Sequence, residues 1–226
     1  MSELEKRNTV KSKDQVSGNV TFEGKEGGSP RIMFLGNSIT RHGVRAEVGW
    51  FNNWGMAASS KENDYVHRVI SFVQETHPDA AFCIVQGADW EGKYKNYDFD
   101  EKYSEAKSFN PDVLICLISE NIPMSEFEEE AFAENMHKFH TYLKGENKDC
   151  VIIQASSFFS NADKDKGIKL CSERYGTTYV DIFDISRDES NLAIGLFEHK
   201  GVQIHPGDKG MKAIADRFIA ELKKIL

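Results

Sequence analysis

The stretch that decides the fold is Arg31-Ile32-Met33-Phe34-Leu35-Gly36, which runs straight into Asn37-Ser38-Ile39-Thr40. Its apolar residues are continuous rather than alternating, as in a strand covered on both faces. The glycine and the small polar residues after it have the composition of a turn leaving the strand end. Four further short runs follow, rich in β-branched residues: Ala80 to Gln86, Val113 to Ser119, Cys150 to Ala155 and Thr177 to Ile182. Longer amphipathic stretches separate them. That alternation predicts an α/β domain with a parallel sheet buried between helices.

The intervening stretches carry helix signals. Asn63 or Asp64 is placed to cap a helix whose buried face is Val66, Val69, Ile70 and Val73, ending before Pro78. A second helix is predicted from Ser125 to Leu143, opening on the capping-box spacing of Ser125-Glu126-Phe127-Glu128. A third is expected over 164–175. The last starts at Asp208, read as its N-cap, and shows Met211, Ile214, Ala215, Phe218, Ile219 and Leu222 on one stripe. Residues 1–29 are polar and glycine-rich toward Gly24, Gly27 and Gly28, with one β-like patch at 19–22, so they read as an arm. The folded domain is expected over 30–226.

A chain of 226 residues fits one domain against a prior of about 150 residues per domain. Its 36 acidic and 28 basic residues give a net charge of −8, which supplies no basic stripe for nucleic acid. No apolar run approaches the ~20 residues of a membrane span, and the first residues lack the apolar segment of a leader, so a cytoplasmic protein with no membrane partner is expected. Cys83, Cys116, Cys150 and Cys171 form no CxxC pair and read as reduced, structural thiols. His137 and His140 stand at i, i+3 without a suitable third ligand, and neither a P-loop nor GxGxxG occurs; no metal and no cofactor is expected.

In an open parallel sheet, ligands gather beyond the carboxyl ends of the strands. Ser38 lies at such an end, where it either caps the next helix or presents a hydroxyl. Ile204-His205-Pro206-Gly207-Asp208 lies just before the last helix, and a histidine in a Pro/Gly turn is oriented to act as general base. Gly49 to Trp54, with Trp90, Tyr94 and Tyr97, supplies aromatics either to a substrate platform or to loop packing. Arg41, His42 and Arg45 either bind an anionic or hydroxyl-rich substrate or lie on a solvated face.

Ile32 to Thr40 resembles the first block of the SGNH (GDSL-type) hydrolases, with Asn37 in place of the usual aspartate. A glycine in Asn53-Trp54-Gly55-Met56-Ala57, an asparagine in Ile118-Ser119-Glu120-Asn121 and His205-Pro206 follow in that family's order. The resemblance covers about 30–226. It implies a three-layer α/β/α, flavodoxin-like doubly wound sheet of about five parallel strands. It also implies an ester hydrolase with Ser38 as nucleophile and His205 as base. The oxyanion hole would be made by the N–H groups of Ser38 and Gly55 and the Asn121 amide, each such donor worth about 2.7–4 kcal/mol. Gly55 suits this role by letting substrate approach the main chain.

Two positions depart from the pattern. Ser119 stands for the usual glycine, and Val202 for the aspartate expected three residues before the histidine. A backbone carbonyl near Val202 is the first substitute for the acid; Glu198 and Glu120 are the next. Asn37, Arg41 and Trp54 are the substrate-binding candidates. The substrate expected is a small-molecule or carbohydrate ester with a short acyl group. A lysophospholipase or thioesterase, or a silent carbohydrate-binding relative, are the alternatives.

Overall fold

A computed structural model describes residues 18–226. Six strands form one sheet: β1 (Val20–Gly24), β2 (Arg31–Gly36), β3 (Ala81–Gln86), β4 (Val113–Leu117), β5 (Val151–Ala155) and β6 (Thr178–Val180). Their order is β1-β3-β2-β4-β5-β6, and every pair is parallel except β1 with β3. The five expected runs are therefore the five parallel strands, and without β1 their order is the flavodoxin-like one. The edge strand β1 lies inside the stretch read as an arm. Its patch pairs Val20 with Val85 and Gly24 with Ala81, so the sheet begins ten residues before Pro30.

The helices are α1 (Tyr65–Thr76), the single turn α2 (Ala88–Glu91), α3 (Asp100–Lys107), α4 (Glu129–Leu143), α5 (Ala162–Tyr175), the single turn α6 (Lys200–Gln203) and α7 (Asp208–Leu222). Side chains alternate across a strand, and the sequence fills both faces. Ile32, Phe34, Phe82, Ile84, Val113 and Ile115 pack against α1 and α7 on one side. Met33, Leu35, Cys83, Val85, Leu114 and Cys116 pack against α3, α4 and α5 on the other. Among the described residues no helix is long and apolar enough to cross a membrane.

Several helix ends differ from expectation for identifiable reasons. Helix α4 starts at Glu129 rather than Ser125, because the Tyr94 hydroxyl accepts from Glu128 N and donates to Glu126 O, both at 3.0 Å, and Glu128 is extended. Asn161 starts α5 two residues early by accepting from Asp163 N and Lys164 N. Asp208 does not cap α7. Its carboxylate accepts from Ser59 N at 2.8 Å and Ser59 Oγ at 2.6 Å, tying the loop before α1 to the start of α7.

The thiols of Cys83, Cys116 and Cys171 are buried, and burial pushes all of them up, Cys171 to about 12. His140 turns into the core, where Nε2 meets Gln154 Oε1 at 3.0 Å, while His137 stacks on Tyr175 with centroids 3.8 Å apart. The two imidazoles thus have separate partners.

Candidate active site

The sheet order reverses between β2 and β4, which is where a doubly wound sheet opens a crevice at its carboxyl edge. The turn after β2 carries Ser38 into that crevice. Gly36 makes the turn possible: a Cβ there would fall 1.8 Å from Thr40 Oγ1 and 2.8 Å from Leu117 O. Thr40 N and Arg41 N both donate to Asn37 O, closing the turn. Ser38 is not a helix cap, since the next helical turn, Ala46–Val48, is capped by Arg45 and no α-helix follows until α1.

His205 Nε2 lies 2.7 Å from Ser38 Oγ, and His205 Nδ1 lies 2.7 Å from Gly201 O. A carbonyl oxygen only accepts, so Nδ1 carries the hydrogen and Nε2 is left to accept from the serine hydroxyl. The backbone around the imidazole is fixed as well. His205 N donates to Val202 O, and Ala193 N donates to His205 O. The acceptor for Nδ1 is thus a main-chain carbonyl one residue before Val202, supplied by the turn α6. Val202 itself is fully buried against Trp50, Met56, Ala57 and Ala193. Burial, reinforced by His42 and His199, pushes the imidazole of His205 down to about 3, so it is neutral at physiological pH.

The two candidate acids lie elsewhere. Glu198 is exposed, and among the described residues no hydrogen bond joins it to His205. Glu120 spends its carboxylate on Asn37 Nδ2 at 2.8 Å and Phe158 N at 2.8 Å.

Gly55 is engaged differently from expectation. Its N–H donates to Asp64 Oδ2 at 3.0 Å. Its lack of a Cβ serves packing, because a Cβ would sit 2.6 Å from Ile39 O and 2.9 Å from Met211. The neighbouring Met56 N donates to Ser38 O at 2.8 Å, which presses this loop onto the serine turn. The next residue, Ala57, is buried with φ of 76°, a left-handed conformation that costs an alanine energy. Among the described residues neither the Ala57 nor the Ser38 N–H donates to a protein acceptor.

Asp64 is the anchor of this loop. Besides Gly55 it accepts from His67 N at 2.7 Å, capping α1, and its Oδ1 lies 2.8 Å from His67 Nδ1. His67 Nε2 meets Glu23 of β1 at 3.3 Å, and Glu23 pairs with Lys61 at 2.8 Å. Burial alone would lower the His67 pKa, but the two carboxylates overcome it and raise it to about 9.

The structure brings Arg41 and Trp54 together in a cleft of ≈ 240 Å³ with Thr40, Asn53, Lys61 and His67. Asn37 points instead into a buried polar cluster and donates to Glu91 and Glu120. Of the aromatics, Trp50, Trp90 and Tyr94 are core residues, whereas Phe51 is 66% exposed. Asn121 is joined to Asn37 through Glu91, its side-chain amide lying 2.5 Å from Glu91 Oε2. Glu91 and Gly201 escaped the sequence reading, and Asp64 entered it only as a helix cap, which it is. Glu91 alone was signalled, by its place just after a strand run. What Asp64 grips and which carbonyl meets His205 depend on tertiary folding.

Neither a protein-family model nor a curated protein sequence matches the chain. Solved structures do. A two-domain esterase active on acetylated mannans, co-crystallised with mannopentaose, is 17% identical with a TM-score of 0.56, covering 86% of this chain and 49% of its own. A family two carbohydrate esterase from Clostridium thermocellum, in complex with cellohexaose, is 16% identical with a TM-score of 0.58, covering 87% of this chain and 64% of its own. A psychrotrophic esterase from Pseudoalteromonas sp., inhibited by monoethylphosphonate, is 12% identical with a TM-score of 0.56, covering 87% and 98%. The chain thus spans about half the length of the mannan esterase and nearly all of the Pseudoalteromonas enzyme. At these identities the likeness establishes the architecture, and the chain has the fold of the SGNH-type, GDSL-like hydrolases.

Two outcomes follow from this geometry. His67 has a folded pKa raised from 6.5 to about 9, so its contribution to stability is complete below pH 6.5 and is lost as pH rises toward 9. Thermal unfolding of the wild type should fall in temperature across that window, and His67→Gln should flatten the fall; an unchanged slope would exclude the charged cluster. Val202→Asp should destabilise the fold by about 2 kcal/mol or more in urea titration rather than improve the site, because it buries a carboxylate in an apolar cluster. A stable, faster variant would contradict this placement.

Proposed function

We propose that this protein is a serine esterase that hydrolyses carboxylic esters through an acyl-enzyme on Ser38. The observation that carries the reading is the 2.7 Å contact between Ser38 Oγ and a neutral His205 whose other nitrogen is held by Gly201 O. Nε2 takes the hydroxyl proton as Ser38 Oγ attacks the ester carbonyl, and the imidazolium then gives that proton to the leaving alcohol. A water, deprotonated by the same nitrogen, releases the acid and restores the serine.

The carbonyl of Gly201 fixes the tautomer that this chemistry requires. In a well-studied triad, the wrong tautomer costs about 10⁴ in rate. It supplies a dipole rather than a full charge to the imidazolium. For the developing oxyanion, the N–H of Ser38 and the amide of Asn121 are two donors in this reading. The third is Ala57, because the Gly55 and Met56 N–H groups on the same loop are already committed.

The substrate class proposed is a short acyl ester, acetyl above all, on a carbohydrate. Its support is the likeness to a mannan-active esterase and a family two carbohydrate esterase, together with a neighbouring cleft lined by Thr40, Arg41 and Trp54, though not by Ser38 or His205. Indole and guanidinium faces suit a hydroxyl-rich ring better than a long alkyl chain.

The hydrolysis of p-nitrophenyl acetate by the wild type beside Ser38→Ala and His205→Ala is the test, with a serine-directed phosphonate mapped by mass spectrometry. Each variant should lose about 10³-fold or more in kcat, and the label should fall on Ser38. An inert, unlabelled wild type would make the protein a silent relative instead. Octanoyl esters should be poorer substrates than acetyl esters, since each added CH₂ needs apolar cover worth about 0.8 kcal/mol; a preference for octanoyl would shift the reading to a lipid hydrolase.

A further inference from the structure

The carboxylate of Asp64 makes more bonds than a helix cap needs. It is fully buried; Oδ1 accepts from His67 N at 2.7 Å, and Oδ2 accepts from Gly55 N at 3.0 Å. Oδ1 also meets His67 Nδ1 at 2.8 Å, and His67 Nε2 meets Glu23 Oε1 of β1 at 3.3 Å. An ionised carboxylate only accepts, so a ring with one at each nitrogen carries both hydrogens. The geometry therefore holds His67 as the imidazolium, whose charge balances Asp64 inside the protein.

The loop that Asp64 grips is bonded to the nucleophile itself. Met56 N donates to Ser38 O at 2.8 Å, and Trp54 O accepts from His42 N at 2.9 Å just before it. Ala58 N donates to Gly55 O at 3.2 Å, closing a turn whose third residue is Ala57 with φ of 76°. That conformation is costly for alanine and persists only where its surroundings impose it. Two hydrogen bonds and one residue step thus lead from Asp64 to the main chain of Ser38. From this run of contacts we infer that Asp64 and His67 are positioning residues for the ester reaction: the carboxylate, matched by the imidazolium, holds the 55–57 loop against Ser38, and Glu23 brings the edge strand β1 into the same unit. The inference rests on the esterase reading above.

The charged groups that face the imidazole are Asp64 at the start of its own helix, Glu23 from β1 with Lys61 at 2.8 Å, and Glu62 of the preceding turn, which feels its charge. Arg41 lines the same cleft and feels Glu23. Arg68 and Asp208 are turned to Asn63 instead. Burial lowers the His67 pKa, but the bonds to Asp64 and Glu23 prevail and raise it to about 9. Below that pH both ring nitrogens donate. Above it one of them turns a lone pair on a carboxylate, so the grip is complete at neutral pH and weakens as pH passes 9.

The test uses the full chain as wild type, Asp64→Asn, His67→Gln, Glu23→Gln and Ser38→Ala, with p-nitrophenyl acetate from pH 6 to 10. Rates are corrected for buffer hydrolysis and taken well below the melting temperature that circular dichroism gives at each pH. Asp64→Asn keeps the shape but accepts on one side only, so it releases either Gly55 or His67. It should lower kcat about ten- to a hundred-fold with KM little changed, as expected for a misplaced catalytic group, and slow phosphonate labelling of Ser38 likewise. Wild-type kcat should fall as pH passes 9; His67→Gln should remove that limb, and Glu23→Gln should move it to lower pH. Wild-type kcat in a folded Asp64→Asn, a wild-type profile flat through pH 9, or a limb unchanged in either other variant would overturn the positioning role. If Asp64→Asn does not fold, the profiles of His67→Gln and Glu23→Gln decide by the same criteria. An inert wild type, or full activity in Ser38→Ala, overturns the esterase reading and this role together. A dead Ser38→Ala beside an unaffected Asp64→Asn overturns this role alone.

Discussion

A main-chain carbonyl can accept a hydrogen bond but never donate one, and that asymmetry governs the crevice. Because Gly201 O receives Nδ1–H of His205, the imidazole has one tautomer and one orientation, and Nε2 faces Ser38 Oγ with its lone pair. A side-chain carboxylate would give the same orientation and a charge besides. The segment that could have carried it presents Val202, which is buried beneath the loop of Trp50, Met56 and Ala57. The position has been given to packing, and the backbone of the turn α6 has taken over the hydrogen bond. His205 consequently sits in a buried site without a carboxylate contact, which keeps it neutral far into acid.

The rest of the site follows from two buried acids at either side of the serine turn. Asp64 caps α1, receives the Gly55 N–H and is matched by protonated His67, so that helix α1, the 55–57 loop and the edge strand β1 are joined through one carboxylate. Glu91 does the corresponding task on the other side for Asn37 and Asn121. Neither acid touches Ser38. Both act on the groups that surround it, which is how a rigid sheet edge turns scattered loop residues into a pre-organised site.

Much of this was legible in the sequence, for physical reasons. Uninterrupted runs such as Ile32 to Leu35, short and bounded by turn residues, read as strands covered on both faces, and the stripe Met211, Ile214, Phe218, Leu222 reads as a helix with one buried face. Ser38 was legible because it follows a strand run, His205 because it lies in a Pro/Gly turn just before the last helix, and a main-chain acceptor for Nδ1 near Val202 because no acid stood there. Strand β1 showed only as the β-like patch at 19–22 and was assigned to an arm because of its polar, glycine-rich surroundings, since pairing at an edge leaves little hydrophobic signature. The Ser125 capping box was legible but overruled, since Tyr94, 31 residues earlier in the chain, claims the same backbone groups. The commitment of the Gly55 N–H to Asp64 is a tertiary fact that local pattern does not encode.

The state of the His205 ring is the most direct point at which to test this chemistry. Two-dimensional ¹H–¹⁵N NMR of histidine-labelled protein, followed from pH 8 to 4 and assigned with His205→Ala, reports both the protonated nitrogen and its titration. A neutral ring with hydrogen on Nδ1, unchanged down to about pH 4, is the result predicted from the Gly201 bond and the burial of the site. A ring that carries its hydrogen on Nε2, or that titrates near 6.5, would contradict it.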